Sequence, residues 1–163
     1  MNRRSRIASL MITLFGFACA AALVQAKDIP VDYTFCHAGT ASVVTASKEF
    51  ALTGVEFRGI TRSNIEDKML DNHTYHCVSV NRGGEQTANH GYCKFISPDG
   101  DGYFIEYSRV GTGEGTWKAL AGGGRWKGLT GDVIWRVTTQ GTPVSPGTYQ
   151  ACGVGKGKYR LPD

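Results

Sequence analysis

The residues of this 163-residue chain best suited to chemistry are four histidines, one carboxylate set in an apolar run, and three tryptophans. The histidines are His37, His73, His76 and His90. His73 and His76 suggest a metal pair, but a spacing of three along a strand sends them to opposite faces. Zinc also needs three or four convergent ligands, so no metal is expected. His76 shares a strand face with Val78 and Val80, which makes it a lumen residue if that face lines a barrel. Glu106 lies between Ile105 and Tyr107. If its face-mates Phe104 and Ser108 point inward, Glu106 is buried, and its pKa is raised unless it is paired. That would suit a general acid or base. If Tyr103, Ile105 and Tyr107 point inward instead, Glu106 is an ordinary solvated residue. Alternation alone does not choose between the two faces.

Trp117, Trp126 and Trp135 recur at a nine-residue period, each followed by a basic residue. Nine residues hold one short strand and a turn, too few for a solenoid repeat. Val133 and Val137 share the face of Trp135, which places that indole in the core. Trp117 and Trp126 sit among glycines and lysines and are expected to be half exposed. The candidate ligand contacts are therefore His76, Glu106, Tyr107, Trp117, Trp126 and Trp135. The sequence contains no Gly-x-Ser-x-Gly, phosphate loop or His-Glu-x-x-His. No catalytic residue is assigned and no cofactor is expected.

Positioning these side chains requires a scaffold, and the sequence describes one made of strands. Residues 1–26 read as a secretory signal peptide. Arg3, Arg4 and Arg6 precede an uncharged apolar stretch, and Val24-Gln25-Ala26 provides the cleavage site before Lys27. Cleavage leaves one domain, residues 27–163. It also removes three of the 18 basic residues, none of the 14 acidic ones and one of five cysteines. The formal charge of +4 thereby becomes nearly neutral, which gives no reason to expect a nucleic-acid partner. No membrane span is expected beyond the signal. Cys36, Cys77, Cys93 and Cys152 remain, an even set that reads as two disulfides in an exported chain. Three connectivities are possible. Cys77 and Cys93, on neighbouring strands, could pair across a hairpin, leaving Cys36 to Cys152. A bridge from first strand to last is what a closed barrel permits.

In the mature chain, short apolar alternations separated by turn signals point to an all-β sandwich or barrel. Strands are expected at 31–36, 40–46, 48–60, 72–82, 86–97 and 103–109. The phase change at Gly54 suggests a β-bulge, and one or two helical turns are possible over 63–70. Ser97-Pro98-Asp99-Gly100-Asp101-Gly102 is the strongest hairpin signal. Its aspartates resemble the start of a calcium loop, but the later ligands are missing.

Gly113-Glu114-Gly115-Thr116-Trp117, then Gly122-Gly123-Gly124-Arg125-Trp126-Lys127-Gly128-Leu129-Thr130-Gly131, together with the upstream Asp99-Gly100-Asp101-Gly102 hairpin, resemble small exported bacterial members of the allene oxide cyclase and dirigent barrel superfamily. The resemblance covers residues 92–135. It implies an eight-stranded antiparallel barrel with a central cavity, and it implies no particular reaction. Gly124-Arg125 replaces the more usual Gly-Lys, and the two disulfides depart from the plant enzymes. The leading expectation is an exported barrel, periplasmic or extracellular, that binds a small apolar or aromatic ligand or serves structurally in the envelope. The alternatives are a cyclase or isomerase acting on an oxidised lipid or phenolic through His76 or Glu106, and a protein-binding module using loops 82–85 and 62–72.

Overall fold

The computed structural model describes residues 26–47, 49–84 and 87–162. The proposed signal peptide lies outside these residues, apart from Ala26. Eight strands follow one another: β1 (Lys27–Ala46), β2 (Phe50–Ser63), β3 (Thr74–Gly84), β4 (Ala88–Ile96), β5 (Gly102–Val110), β6 (Gly115–Gly122), β7 (Thr130–Gln140) and β8 (Thr148–Leu161). A 3₁₀ turn, Gly124–Trp126, sits between β6 and β7. Each strand pairs antiparallel with the next. The sheet closes where β1 pairs with β8, from Lys27 opposite Leu161 to Thr40 opposite Thr148. Closure removes the unpaired edges that an open sheet would expose.

Both disulfides join residues directly opposite in register. Cys36–Cys152 pins the β1–β8 seam from outside, and Cys77–Cys93 links β3 to β4 inside the core. Alternation puts Tyr33, Phe35, Tyr75, Phe95, Tyr103, Ile105, Tyr107, Trp117, Val133 and Tyr159 into the interior. Glycines make room for them. A Cβ on Gly91 of β4 would stand 2.7 Å from the Tyr107 ring and 2.5 Å from the Ser79 Cβ.

Four details differ from the sequence reading. The strands expected at 31–36 and 40–46 are one continuous β1. No bulge occurs at Gly54, which pairs regularly with Ser42 and Val80; the register slips on β1 instead, between Val43 and Thr45. The phase change in β2 has another cause. Beyond Thr40, β1 has lost β8 as a neighbour, so there is no interior for the residues around Phe50 to face. Residues 64–73 form a loop rather than helical turns. Trp117 and Trp126 are buried, not half exposed. Their nine-residue spacing with Trp135 spans three different elements, so it is not a structural repeat. Among the described residues no helix is long and apolar enough to cross a membrane.

Candidate functional site

On three neighbouring strands, β3 to β5, the inward residues change character along the barrel. On β3 they run Tyr75, Cys77, Ser79, Asn81, and on β5 Tyr103, Ile105, Tyr107, Arg109. On antiparallel β4 the order is reversed: Asn89, Gly91, Cys93, Phe95. The two directions agree in space because Asn81 pairs with Asn89, which in turn pairs with Arg109. On these three strands the inward face is apolar at one end and polar at the other; on β2 it runs the opposite way, from Val55 and Phe57 to Thr61 and Ser63.

The apolar end is sealed. The 3₁₀ turn lowers Trp126 into it, where the indole is fully buried against His73 and Tyr103, with ring centroids 5.3 and 5.0 Å away. The hairpin that suggested calcium chemistry holds this plug. Ser97 Oγ accepts from Trp126 Nε1 at 3.2 Å, Asp101 accepts from the Arg125 backbone N–H at 2.8 Å, and Asp99 pairs with the Arg125 guanidinium at 2.9 Å. Gly124, at φ 55°, has a Cβ direction that would overlap the Asp101 carboxylate, so a side chain is excluded there. His73 is fully buried with Nδ1 3.2 Å from the Tyr103 hydroxyl, and burial pulls its pKa down to about 4.

The polar end is open and holds a cavity of about 560 Å³. Its apolar wall includes Val55, Phe57, Trp135 and Ala151, with Tyr107, Tyr149 and His37 among them. The rings form a continuous aromatic surface: His37–Phe57 4.5 Å, Phe57–Tyr107 6.0 Å and Tyr107–Trp135 6.1 Å between centroids. Burial lowers the His37 pKa to about 4 and pushes the Tyr107 hydroxyl up to about 12. Both are neutral at neutral pH and poor acid–base catalysts there. Five buried polar atoms on residues that line this cavity have no hydrogen-bond partner: Asn81 Oδ1, Asn89 Oδ1, Tyr107 Oη, Arg109 Nε and Trp135 Nε1. The neighbouring Ser79 hydroxyl tempers the Tyr107 shift, but neither oxygen has a partner of ordinary hydrogen-bond geometry. Buried polar atoms are normally paired, so this concentration marks a place built to meet something else. A second depression, of about 420 Å³, lies on the outer seam over Cys36–Cys152. It is wide open and lacks that convergence of polar groups.

The sequence-predicted residues divide cleanly. Tyr107 and Trp135 line the cavity; Trp117 packs beneath them in the core, 6.1 Å from Trp135; Trp126 is at the opposite end. His76 and Glu106 face outward. His76 pairs with Glu56 at 2.8 Å, and His90 with Glu106 at 3.1 Å, on half-exposed side chains. Of the two faces of β5, the one carrying Tyr103, Ile105 and Tyr107 is the inner one, so Glu106 is solvated. His73 and His76 do point to opposite faces, one buried and one exposed. No group of three or more metal-ligating side chains comes together among the described residues. Sequence reading missed His37, Asn81, Asn89, Arg109 and Tyr149. The available signal was parity: His37 follows Tyr33 and Phe35, and Arg109 follows Tyr103, Ile105 and Tyr107.

No family model matches this chain, and no curated protein does. Among solved structures, it is similar to that of the pterocarpan synthase dirigent protein, with a TM-score of 0.55 at 10% sequence identity, covering 96% of this chain and 100% of that one. At such an identity the likeness concerns the fold: the chain is a dirigent-like, closed eight-stranded barrel.

Proposed function

We propose that this protein is an exported binding barrel that takes a small, ring-bearing or apolar ligand at its open end. The observation that carries the reading is the cavity of about 560 Å³, with an aromatic wall and unpaired polar atoms, at one end of a barrel whose other end is plugged. Ligand sites are typically concave and mostly apolar, with a few convergent polar groups, and a barrel of eight strands is just wide enough to hold one small molecule. The dirigent-like neighbour is named as a synthase of a small molecule, which agrees with a barrel that handles such compounds. The acid–base reading loses its motivation, since His76 and Glu106 both face solvent. Export rests on the character of residues 1–26 and on two disulfides, which persist in oxidising compartments.

The test is binding of a neutral aromatic probe, N-phenyl-1-naphthylamine, followed by its fluorescence, together with native mass spectrometry of protein from its own compartment. Wild type should bind the probe or carry a small-molecule adduct. Ala41→Trp, which caps the mouth, should abolish probe binding with little change in melting temperature. A bare mass and no probe binding at millimolar concentration would overturn the reading. A mature mass beginning at Lys27 would support export.

A further inference from the structure

Resting on that reading, the polar rim specifies the ligand's chemical class. Arg109 is the informative residue. Its side chain makes no ion pair and no hydrogen bond among the described residues, and its Nε is buried. The guanidinium carbon lies 5.2 Å from the Trp135 ring centroid, so the charge is held in place over an aromatic face. A fixed, partly buried cation without a counter-ion carries a desolvation cost. The usual remedy is a neighbouring carboxylate, yet among the described residues no Asp or Glu lines this cavity. Elsewhere on the barrel cations either have a carboxylate partner, as Arg125 with Asp99, Lys156 with Asp32, and Lys158 and Arg160 with Asp28, or lie exposed to water, as Lys94, Lys118 and Arg136 do.

The atoms around Arg109 are also suited to an anion. Trp135 Nε1 can only donate, and the Tyr107 hydroxyl, its pKa raised by burial, is a donor at neutral pH. Asn81 and Asn89 also line the cavity; their amide oxygens are the buried atoms, and each amide carries an NH₂ donor with no side-chain hydrogen bond of its own among the described residues. Arg109 lies one inward position nearer the mouth than Tyr107, while Phe57 and Trp135 supply flat apolar surface. We propose that the mouth selects small ring-bearing acids in their anionic form, with the oxyanion at Arg109 and the ring against the aromatic wall.

A matched pair of ligands tests this by isothermal titration calorimetry: 2-naphthoate and its neutral isostere 2-naphthamide, at pH 7 and low salt. A charge-assisted hydrogen bond in a partly buried site should make naphthoate bind about tenfold tighter or more. Added sodium chloride should erode that preference and leave naphthamide unaffected. Arg109→Met keeps the apolar stem over Trp135 and should bring the two ligands to equal affinity. Should that variant fail to fold, the salt titration of wild type decides alone. Equal binding of both ligands by wild type, or a preference for the amide, would overturn the anion inference while leaving the binding barrel intact. Binding of neither ligand at millimolar concentration would overturn the anion inference, and binding of N-phenyl-1-naphthylamine would then show whether the binding barrel stands.

Discussion

The two ends of this barrel are built from the same eight strands but finished in opposite ways. At the plugged end a 3₁₀ turn and the 64–73 loop cover the lumen. Trp126 Nε1 and Thr61 Oγ1 each have a hydrogen-bond partner, and His73 Nδ1 contacts the Tyr103 hydroxyl, which leaves His73 Nε2 as the buried unpaired atom of this end. At the open end no element crosses the mouth among the described residues, and Asn81, Asn89, Tyr107, Arg109 and Trp135 keep unpaired polar atoms. An unsatisfied buried polar group costs about 1–3 kcal/mol. The open end therefore gives up stability that the plugged end provides. Such a division is expected where one end holds the fold and the other is kept available for a ligand.

The comparison is broken most directly at the plug. Trp126→Ala removes a fully buried indole and is expected to cost about 3–5 kcal/mol, read as a fall in the denaturation midpoint in urea. A loss under about 1 kcal/mol would show that the turn is ornamental. Next come the covalent ties. Cys36 and Cys152 close a loop of sequence separation 116, Cys77 and Cys93 one of 16. On the chain-entropy model, replacing the first pair by serine should cost about 4–5 kcal/mol and opening the short loop about 3 kcal/mol. Unfolding of each double variant ranks them, and equal losses would show that loop length is not the governing factor.

A smaller, reversible effect comes from pH. His73 and His37 have folded-state pKa values lowered to about 4, below the unfolded value near 6.5, because burial disfavours the charged ring. Between these values the unfolded chain binds more protons than the folded one. Stability is therefore full above about pH 6.5 and lost as pH falls towards 4. For fully buried His73 the loss should reach roughly 3 kcal/mol. Urea melts at pH 7 and 4.5 measure it, and His73→Gln should flatten that dependence. If the variant retains the full pH dependence, His73 is not the source. The smallest effect belongs to the mouth. Tyr107→Phe removes a buried hydroxyl that has no partner and should be neutral or stabilising by up to about 1 kcal/mol. A loss above 1 kcal/mol would show that this hydroxyl has a structural partner and that the two ends are less different than their geometry implies.

How much of this was legible in the chain can be judged residue by residue. Strand parity set His73 against His76, and turn chemistry located the hairpin at Ser97–Gly102. Parity also offered the right alternative for Glu106, namely that it is solvated when Tyr103, Ile105 and Tyr107 point inward. It could not choose, because both faces of β5 and its neighbours carry large apolar groups. Phe104 is 47% exposed and Tyr92 50%, while Tyr103 and Tyr107 are buried. Trp126 was misjudged because its glycine- and lysine-rich neighbours look like surface. Only the Ser97, Asp99 and Asp101 contacts, 24 to 29 residues away in sequence from the groups they hold, fold that turn back into the lumen.

Sequence alone determined the local terms: an alternating strand pattern, a hairpin signal, and four cysteines beyond residue 26 able to pair completely. These depend on residues close together or on simple parity. Closure of β1 on β8 decided the rest. It selected which face of every strand became the interior, by fitting aromatics against glycines such as Gly91, and it brought Asn81, Asn89 and Arg109 to one end. That choice belongs to the tertiary structure because an interior exists only once the sheet has closed, and its small cross-section admits one of the two faces and leaves the other to water.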